Sequence, residues 1–157
     1  YTGLSERAPA PALLELEITE SILMDNEEEC ERILKSFRAM GIKTAIDDFG
    51  TGYSSLSYLK KFAVDRIKID RTFIKEIPEK DDGAIAKVII ELASVFHIDV
   101  IAEGVETGLQ MDFLVKNSCS LAQGYLFSRP LSEEVVTDFI EKNAESGRDD
   151  ASHISEM

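Results

Sequence analysis

The sequence predicts an α/β fold assembled from repeated βα units, a TIM-barrel-like (β/α)8 architecture present as a partial barrel of about five units. Three observations carry this expectation. Short β-favouring segments alternate along the chain with segments whose apolar residues recur at three and four. Each strand candidate runs at its C-terminal end into a charged or amide side chain, the end at which parallel α/β folds build their sites. No Gly-x-Gly-x-x-Gly fingerprint follows any strand, which disfavours an open dinucleotide-binding sheet.

The first strand is Leu13 to Thr19, alternating apolar and acidic and finishing in Glu17, Thr19 and Glu20. Residues 1–12, with Pro9 and Pro11, read as an irregular lead-in. Asp25 and Glu28 have the spacing of a capping box, and Cys30, Ile33, Leu34, Phe37 and Met40 mark the buried stripe of a helix closed by Gly41. The second strand, Lys43 to Ile46, leads into Asp47-Asp48 and a glycine- and hydroxyl-rich loop, Phe49-Gly50-Thr51-Gly52-Tyr53-Ser54-Ser55, followed by a short helix to about Lys61. Val64 to Asp70 is the third strand, ending in Lys68 and Asp70.

After a loop with Pro78, Asp82 is expected to cap a helix packed through Ile85, Val88, Ile89, Leu92 and Phe96. His97 falls at its C-terminal end, where an imidazolium would favour the helix dipole in a surface role. Val100 to Ala102 is the fourth strand and runs into Glu103 and Glu106; Thr107 and Gln110 form a capping box for a helix to about Lys116. The fifth strand, Leu121 to Phe127, carries Gln123 where the others carry a charge, and Ser132 caps a last helix packed through Val135, Val136, Phe139 and Ile140. Residues 144–157 are polar, mostly acidic and aperiodic, and read as a disordered tail.

Composition narrows the function. A chain of 157 residues with 44% hydrophobic content and a net charge of -13 is expected to fold as one soluble globule. Its acidity argues against a nucleic-acid polymer as partner. No run approaches the roughly 18 to 20 apolar residues of a membrane span, and no signal peptide is evident, so the expected location is cytoplasmic. Cys30 and Cys119 lack metal-type spacing and are expected to be free thiols.

Glu17, Asp47, Asp48 and Glu103 would converge at one barrel mouth, where several carboxylates stay ionised together only beside compensating cations. Two hard ions, Mg2+ or Mn2+, suit such oxygen ligands, and the scarcity of His and paired Cys disfavours zinc. Lys68 would steer a phosphate oxygen or an attacking water, a constellation fit for in-line displacement at phosphorus. Singly, each residue has a bland alternative: a strand-end acid is ordinarily a solvated turn residue, and an alternating-strand lysine an exposed edge residue. Suitable groups from five strands at the same end are what argue for a site. An enolase-like barrel, abstracting a proton with carboxylates, Mg2+ and a lysine, shares this geometry. The Gly-rich loop beside the Asp pair and the Gln123-Gly124 strand favour phosphoryl chemistry.

The segments Glu17-Ile18-Thr19-Glu20-Ser21, Asp47 to Leu56, Lys68-Ile69-Asp70, Ala102-Glu103-Gly104-Val105-Glu106 and Gln123 to Pro130 resemble the C-terminal part of EAL domains, over about residues 13–143. That family comprises the cyclic di-GMP phosphodiesterases of bacterial second-messenger signalling. The resemblance implies a (β/α)8-like barrel that hydrolyses cyclic di-GMP to linear pGpG with two Mg2+ or Mn2+ ions. It implies that Glu17 binds the first metal, Asp47 bridges both and Asp48 binds the second, with Lys68 positioning water or phosphate. Glu103 would serve the second metal or its water, Glu106 would support it, Gln123 would orient water, and Glu20 would brace the loop that includes Phe49, Gly50, Thr51, Gly52, Tyr53 and Ser54. The family's Glu-Ala-Leu segment, an asparagine ligand and a substrate-contacting arginine lie upstream of the matched part. The chain is therefore expected to be a fragment that associates with itself or with the missing barrel half. The alternative is a catalytically inactive cyclic di-GMP-binding or dimerising regulatory module.

Overall fold

In a computed structural model the described residues are 10–52, 59, 61–77 and 83–141, with Met24 and Asp25 described by their backbone alone. The expected short helix before Lys61, the Pro78 loop, Asp82 and the tail fall wholly or mostly outside them. Among the described residues five strands form one parallel sheet: β1 (Glu15–Thr19), β2 (Lys43–Phe49), β3 (Arg66–Ile69), β4 (Asp99–Glu103) and β5 (Leu121–Gln123), in the order β1-β2-β3-β4-β5. Every strand lies beside its sequence neighbour, with no reversal of order. That is the winding of a barrel arc; a doubly wound sheet would contain a switch point.

Helices fill the connections: α1 (Glu20–Asp25), α2 (Glu27–Ala39), α3 (Arg71–Lys75), α4 (Ala84–Phe96) and α5 (Gly108–Lys116). Residues 133–141 are also helical, and the chain divides into compact units before them, at Phe127 and Ser128. Within that second unit the apolar face expected to pack, Val135, Val136, Phe139 and Ile140, is exposed.

The ends of elements differ from the sequence expectation for local reasons. Pro11–Leu13 form a turn of 3-10 helix, so β1 begins only at Glu15. Asp25 does not open the long helix; it closes the short α1, and Asn26 is the N-cap of α2, accepting from the Glu29 amide at 3.4 Å. Asp70 likewise leaves the strand and caps α3, accepting from the Thr72 amide at 2.9 Å. Gly83, with φ 72, stands at the N-cap of α4 where Asp82 was expected. The capping box at Thr107 and Gln110 is present. β5 stops at Gln123 and the chain turns at Gly124, because Gly124 lies against the backbone of Val105: a Cβ there would sit 2.2 Å from the Val105 carbonyl oxygen.

The parallel register sorts the sheet into two faces, since aligned residues point the same way. Ile46, Ile67, Ile69 and Ala102 face the helices and join Phe49, Ile74, Ile89, Ile90, Ala93 and Leu114 in the core. Burying each of the Ile, Leu and Phe side chains contributes about 2 kcal/mol relative to leaving it in water. Glu17, Ala45, Arg66, Lys68, Ile101, Glu103 and Gln123 share the opposite face, which becomes the inside of the arc.

Candidate active site

The pairing of β2 with β3 carries an irregularity that builds the site. Ile46 pairs with Ile67 and Phe49 with Ile69, so Asp47 and Asp48 together oppose Lys68 alone. An extra residue of this kind bends the strand and leaves one position unpaired. Asp48 takes up the bend with φ 53, a left-handed conformation that aspartate tolerates better than most residues. Adjacent strand residues would otherwise point to opposite faces. The bulge lets both carboxylates reach one end of the sheet.

Lys68 is the centre. Its side chain is only 7% exposed, and its ammonium lies 2.7 Å from Glu17 Oε2, 3.0 Å from Asp47 Oδ1 and 2.8 Å from Glu103 Oε1. Burial pushes this ammonium toward neutrality, but hydrogen bonding to Glu103, Glu17 and Asp47 outweighs it and holds the pKa above the ordinary lysine value. Lys68 is therefore a fixed cation. Asp47 Oδ1 is buried and, apart from the Lys68 contact, has no hydrogen-bond donor.

Asp47, Asp48 and Glu103 bring carboxylate oxygens within 4.8 Å of one another. The Asp48 carboxyl is pushed up by burial and then by the charges of Asp47 and Asp70, against a smaller opposing effect of Lys68. Asp70 is held low: burial would raise it, but hydrogen bonds from the Thr72 hydroxyl and amide and from Asp48 prevail. An all-oxygen cluster with an under-partnered buried oxygen and a neighbouring carboxyl reluctant to ionise fits a hard divalent cation.

Gln123 sits beside Glu103 in the β4–β5 ladder, and both line a cleft of about 310 Å3 with Asp48, Asp70, Arg71 and Tyr125. Glu106 lies on its rim, its amide donating to Gln110 Oε1 at 2.8 Å. The loop after β2 is held from below. Glu20, the first residue of α1 and buried, accepts from the Gly50 amide at 3.2 Å, while its Oε1 has no hydrogen-bond partner. A Cβ on Gly52 would come within 2.8 Å of that oxygen, so a larger residue there would have to push the Glu20 carboxylate aside. Thr51 folds back through its hydroxyl to the Asp48 carbonyl at 2.8 Å, and Phe49 is buried in the core beneath. Tyr53 and Ser54 lie outside the described residues.

Of the residues singled out from the sequence, Glu17, Asp47 and Glu103 each contact Lys68, Asp48 clusters with Asp47 and Glu103, and Gln123 lies beside Glu103; Glu17 reaches Lys68 but stands outside that carboxylate cluster. Asp70, Arg71 and Tyr125 also line the cleft; of these Asp70 alone carries a sequence signal, that of a strand-end acid. Gln110 does more than cap its helix: it is buried and also donates to the Ile74 carbonyl at 3.1 Å.

Comparison with known proteins agrees with this geometry. Residues 2–130 match the EAL domain family. The chain is 47% identical over 139 residues to the cyclic di-GMP phosphodiesterase NbdA of Pseudomonas aeruginosa, an alignment covering 88% of this chain and 18% of NbdA. It superposes with a TM-score of 0.77 on the MucR phosphodiesterase of the same organism, solved as a cyclic di-GMP complex, at 44% identity and covering 81% of this chain and 52% of that one. The manganese and cyclic di-GMP complex of Klebsiella pneumoniae BlrP1 gives a TM-score of 0.72 at 37% identity, covering 78% of this chain and 31% of that one. The chain thus spans about half of the MucR structure and under a fifth of NbdA.

Proposed function

Since the chain belongs to the EAL domain family, we propose that it forms the C-terminal part of a metal-dependent phosphodiesterase that hydrolyses cyclic di-GMP to linear pGpG in the bacterial cytoplasm. The observation that carries this reading is the cluster of Asp47, Asp48 and Glu103 around one cleft, with the Lys68 ammonium among them. Among the described residues no helix is long and apolar enough to cross a membrane.

Glu17, Asp47, Asp48 and Glu103 would hold two Mg2+ or Mn2+ ions, which when bound lower the pKa of water and neutralise charge at phosphorus. The protein's own groups do the rest. Without metal Lys68 is held protonated by the three carboxylates around it, and in the loaded site it would orient an anionic phosphate oxygen or the attacking water. Gln123, with both a donor and an acceptor, orients water from across the cleft. Glu106 supports Glu103 from the rim, and Glu20 keeps the 49–52 loop closed behind the Asp pair.

Both edges of the sheet show apolar residues to solvent: Leu14 and Leu16 at β1, Leu121 at β5. This supports completion of the barrel by further strands or by a second polypeptide, because uncovered edges and apolar faces recruit partners. It also supports the second reading, a cyclic di-GMP-binding module that works by dimerisation. The deciding experiment is cyclic di-GMP hydrolysis with Mn2+, comparing this chain with a form that supplies the remaining barrel strands. Turnover by the completed form, lost by about 100-fold or more in Asp47→Asn, supports the phosphodiesterase. Binding without turnover in the completed form supports the regulatory module.

A further inference from the structure

Below the Lys68 cluster, on the same inner face, lies a second ion cluster that the proposed chemistry does not use. Arg66 stands two residues before Lys68 on β3, and Glu15 two residues before Glu17 on β1. Arg66 Nη1 lies 3.0 Å from both Glu15 Oε1 and Oε2, reaching over β2. The two side chains are 20% and 25% exposed, so this pair is less screened than an ordinary surface pair. Asp99 on β4 is a looser neighbour of the same guanidinium, at 3.6 Å and 67% exposed. Ala45 on β2 aligns with Arg66 on one side and Glu17 on the other and is fully buried. A larger residue there would stand in the way of the crossing.

We infer that Arg66, acting through Glu15, is a positioning residue that sets the height of β1 so that Glu17 can serve as a ligand. Among the described residues β1 pairs with β2 alone. Besides that ladder, two side-chain ties join β1 to β3: Glu17 to Lys68 and Glu15 to Arg66. The first cannot do both jobs, because a Glu17 carboxylate turned toward a metal ion weakens its hold on Lys68. The second involves neither a ligand nor the cleft, so it persists whichever way Glu17 turns. One guanidinium nitrogen, Nη1, meets both oxygens of Glu15, and the planar group behind it holds that nitrogen more rigidly than the flexible stem of a lysine would.

The inference rests on the metal-dependent reading, and its test separates the two. Mn2+ binding is measured by electron paramagnetic resonance on the full-length protein, well below the melting temperature, for wild type, Arg66→Met, Arg66→Lys, Glu15→Gln and the swapped pair Glu15→Arg with Arg66→Glu. Arg66→Met and Glu15→Gln are expected to weaken Mn2+ binding about tenfold or more, as loss of a group supporting a ligand does. The swapped pair is expected to recover most of that loss and Arg66→Lys only part. Glu15→Gln keeps the shape of the site, so it carries the test if Arg66→Met does not fold. Unchanged Mn2+ affinity in the folded variants, with or without a lower melting temperature, overturns the inference and leaves the phosphodiesterase reading standing. No Mn2+ binding by wild type overturns both.

Discussion

Lys68 Nζ on β3 and Glu17 Oε2 on β1 meet at 2.7 Å with strand β2 between them. One ammonium, enclosed by carboxylates from three strands, neutralises a site that would otherwise repel itself. Removing it should expose that repulsion. Lys68→Met is expected to destabilise the chain by about 3 kcal/mol at neutral pH, the low end for breaking a buried pair, since the Glu17 side chain is 48% exposed. The loss should shrink in acid, where the repulsion between carboxylates weakens, and Mn2+ should raise the melting temperature more in the variant than in wild type. Urea titrations at two pH values with and without Mn2+ check both, and an equal loss at both pH values would sink the electrostatic account.

The same cluster fixes how Lys68 titrates. Because its folded pKa is raised, the stability it contributes is fully present below the ordinary lysine value of 10.5 and is lost only as pH rises through the higher folded value. The 13Cε resonance of Lys68 should therefore show no deprotonation below about pH 10.5. A midpoint near neutrality would overturn its role as a fixed cation and reopen it as a general base.

Gln110 closes three buried or part-buried contacts at once: its Oε1 accepts from the amides of Glu106 and Thr107 at 2.8 and 3.0 Å, and its Nε2 donates to the Ile74 carbonyl at 3.1 Å. Gln110→Ala is expected to cost about 2–4 kcal/mol, roughly one per bond with a penalty for the donors left buried. Hydrogen exchange of the Glu106 and Thr107 amides should accelerate, loosening the rim of the cleft. Exchange at wild-type rates would show that the loop after β4 is held by other contacts.

Much of this arrangement was legible in the sequence because it rests on two periodicities. Alternation at Leu13–Thr19 and Val64–Asp70 and three-four spacing at Ile85–Phe96 gave the βα order, and strand-end placement gave Glu17, Lys68 and Glu103. What escaped depends on geometry that neither period encodes. Asp47 and Asp48 share an end only through a one-residue bulge, visible once β3 is laid alongside. The short helices Glu20–Asp25 and Arg71–Lys75 are too brief to show a stripe, so their capping residues read as loop or strand. The Glu15–Arg66 tie crosses a whole strand and takes its room from Ala45, a residue with no signal of its own.

Asp48 is the place where metal-free stability and ligand binding pull in opposite directions. Its carboxyl is pushed up by burial and then by the charges of Asp47 and Asp70. A raised folded pKa means that the stability associated with this group is present below its ordinary value of 3.8 and lost as pH rises through the raised value, so at neutral pH the ionised side chain works against the fold. Asn is the substitution that isolates charge, since it keeps the shape and tolerates φ 53 as well as Asp does. Asp48 is exposed, so solvent screens most of this effect, and in the presence of a chelator Asp48→Asn is expected to melt at or slightly above wild type. With saturating Mn2+ the order should reverse, because the gain from the cation depends on the charge that was removed. Scanning calorimetry under both conditions reads the crossing directly. A variant that melts below wild type without metal contradicts the electrostatic cost assigned to Asp48, and one stabilised by Mn2+ as much as wild type contradicts its assignment as a ligand.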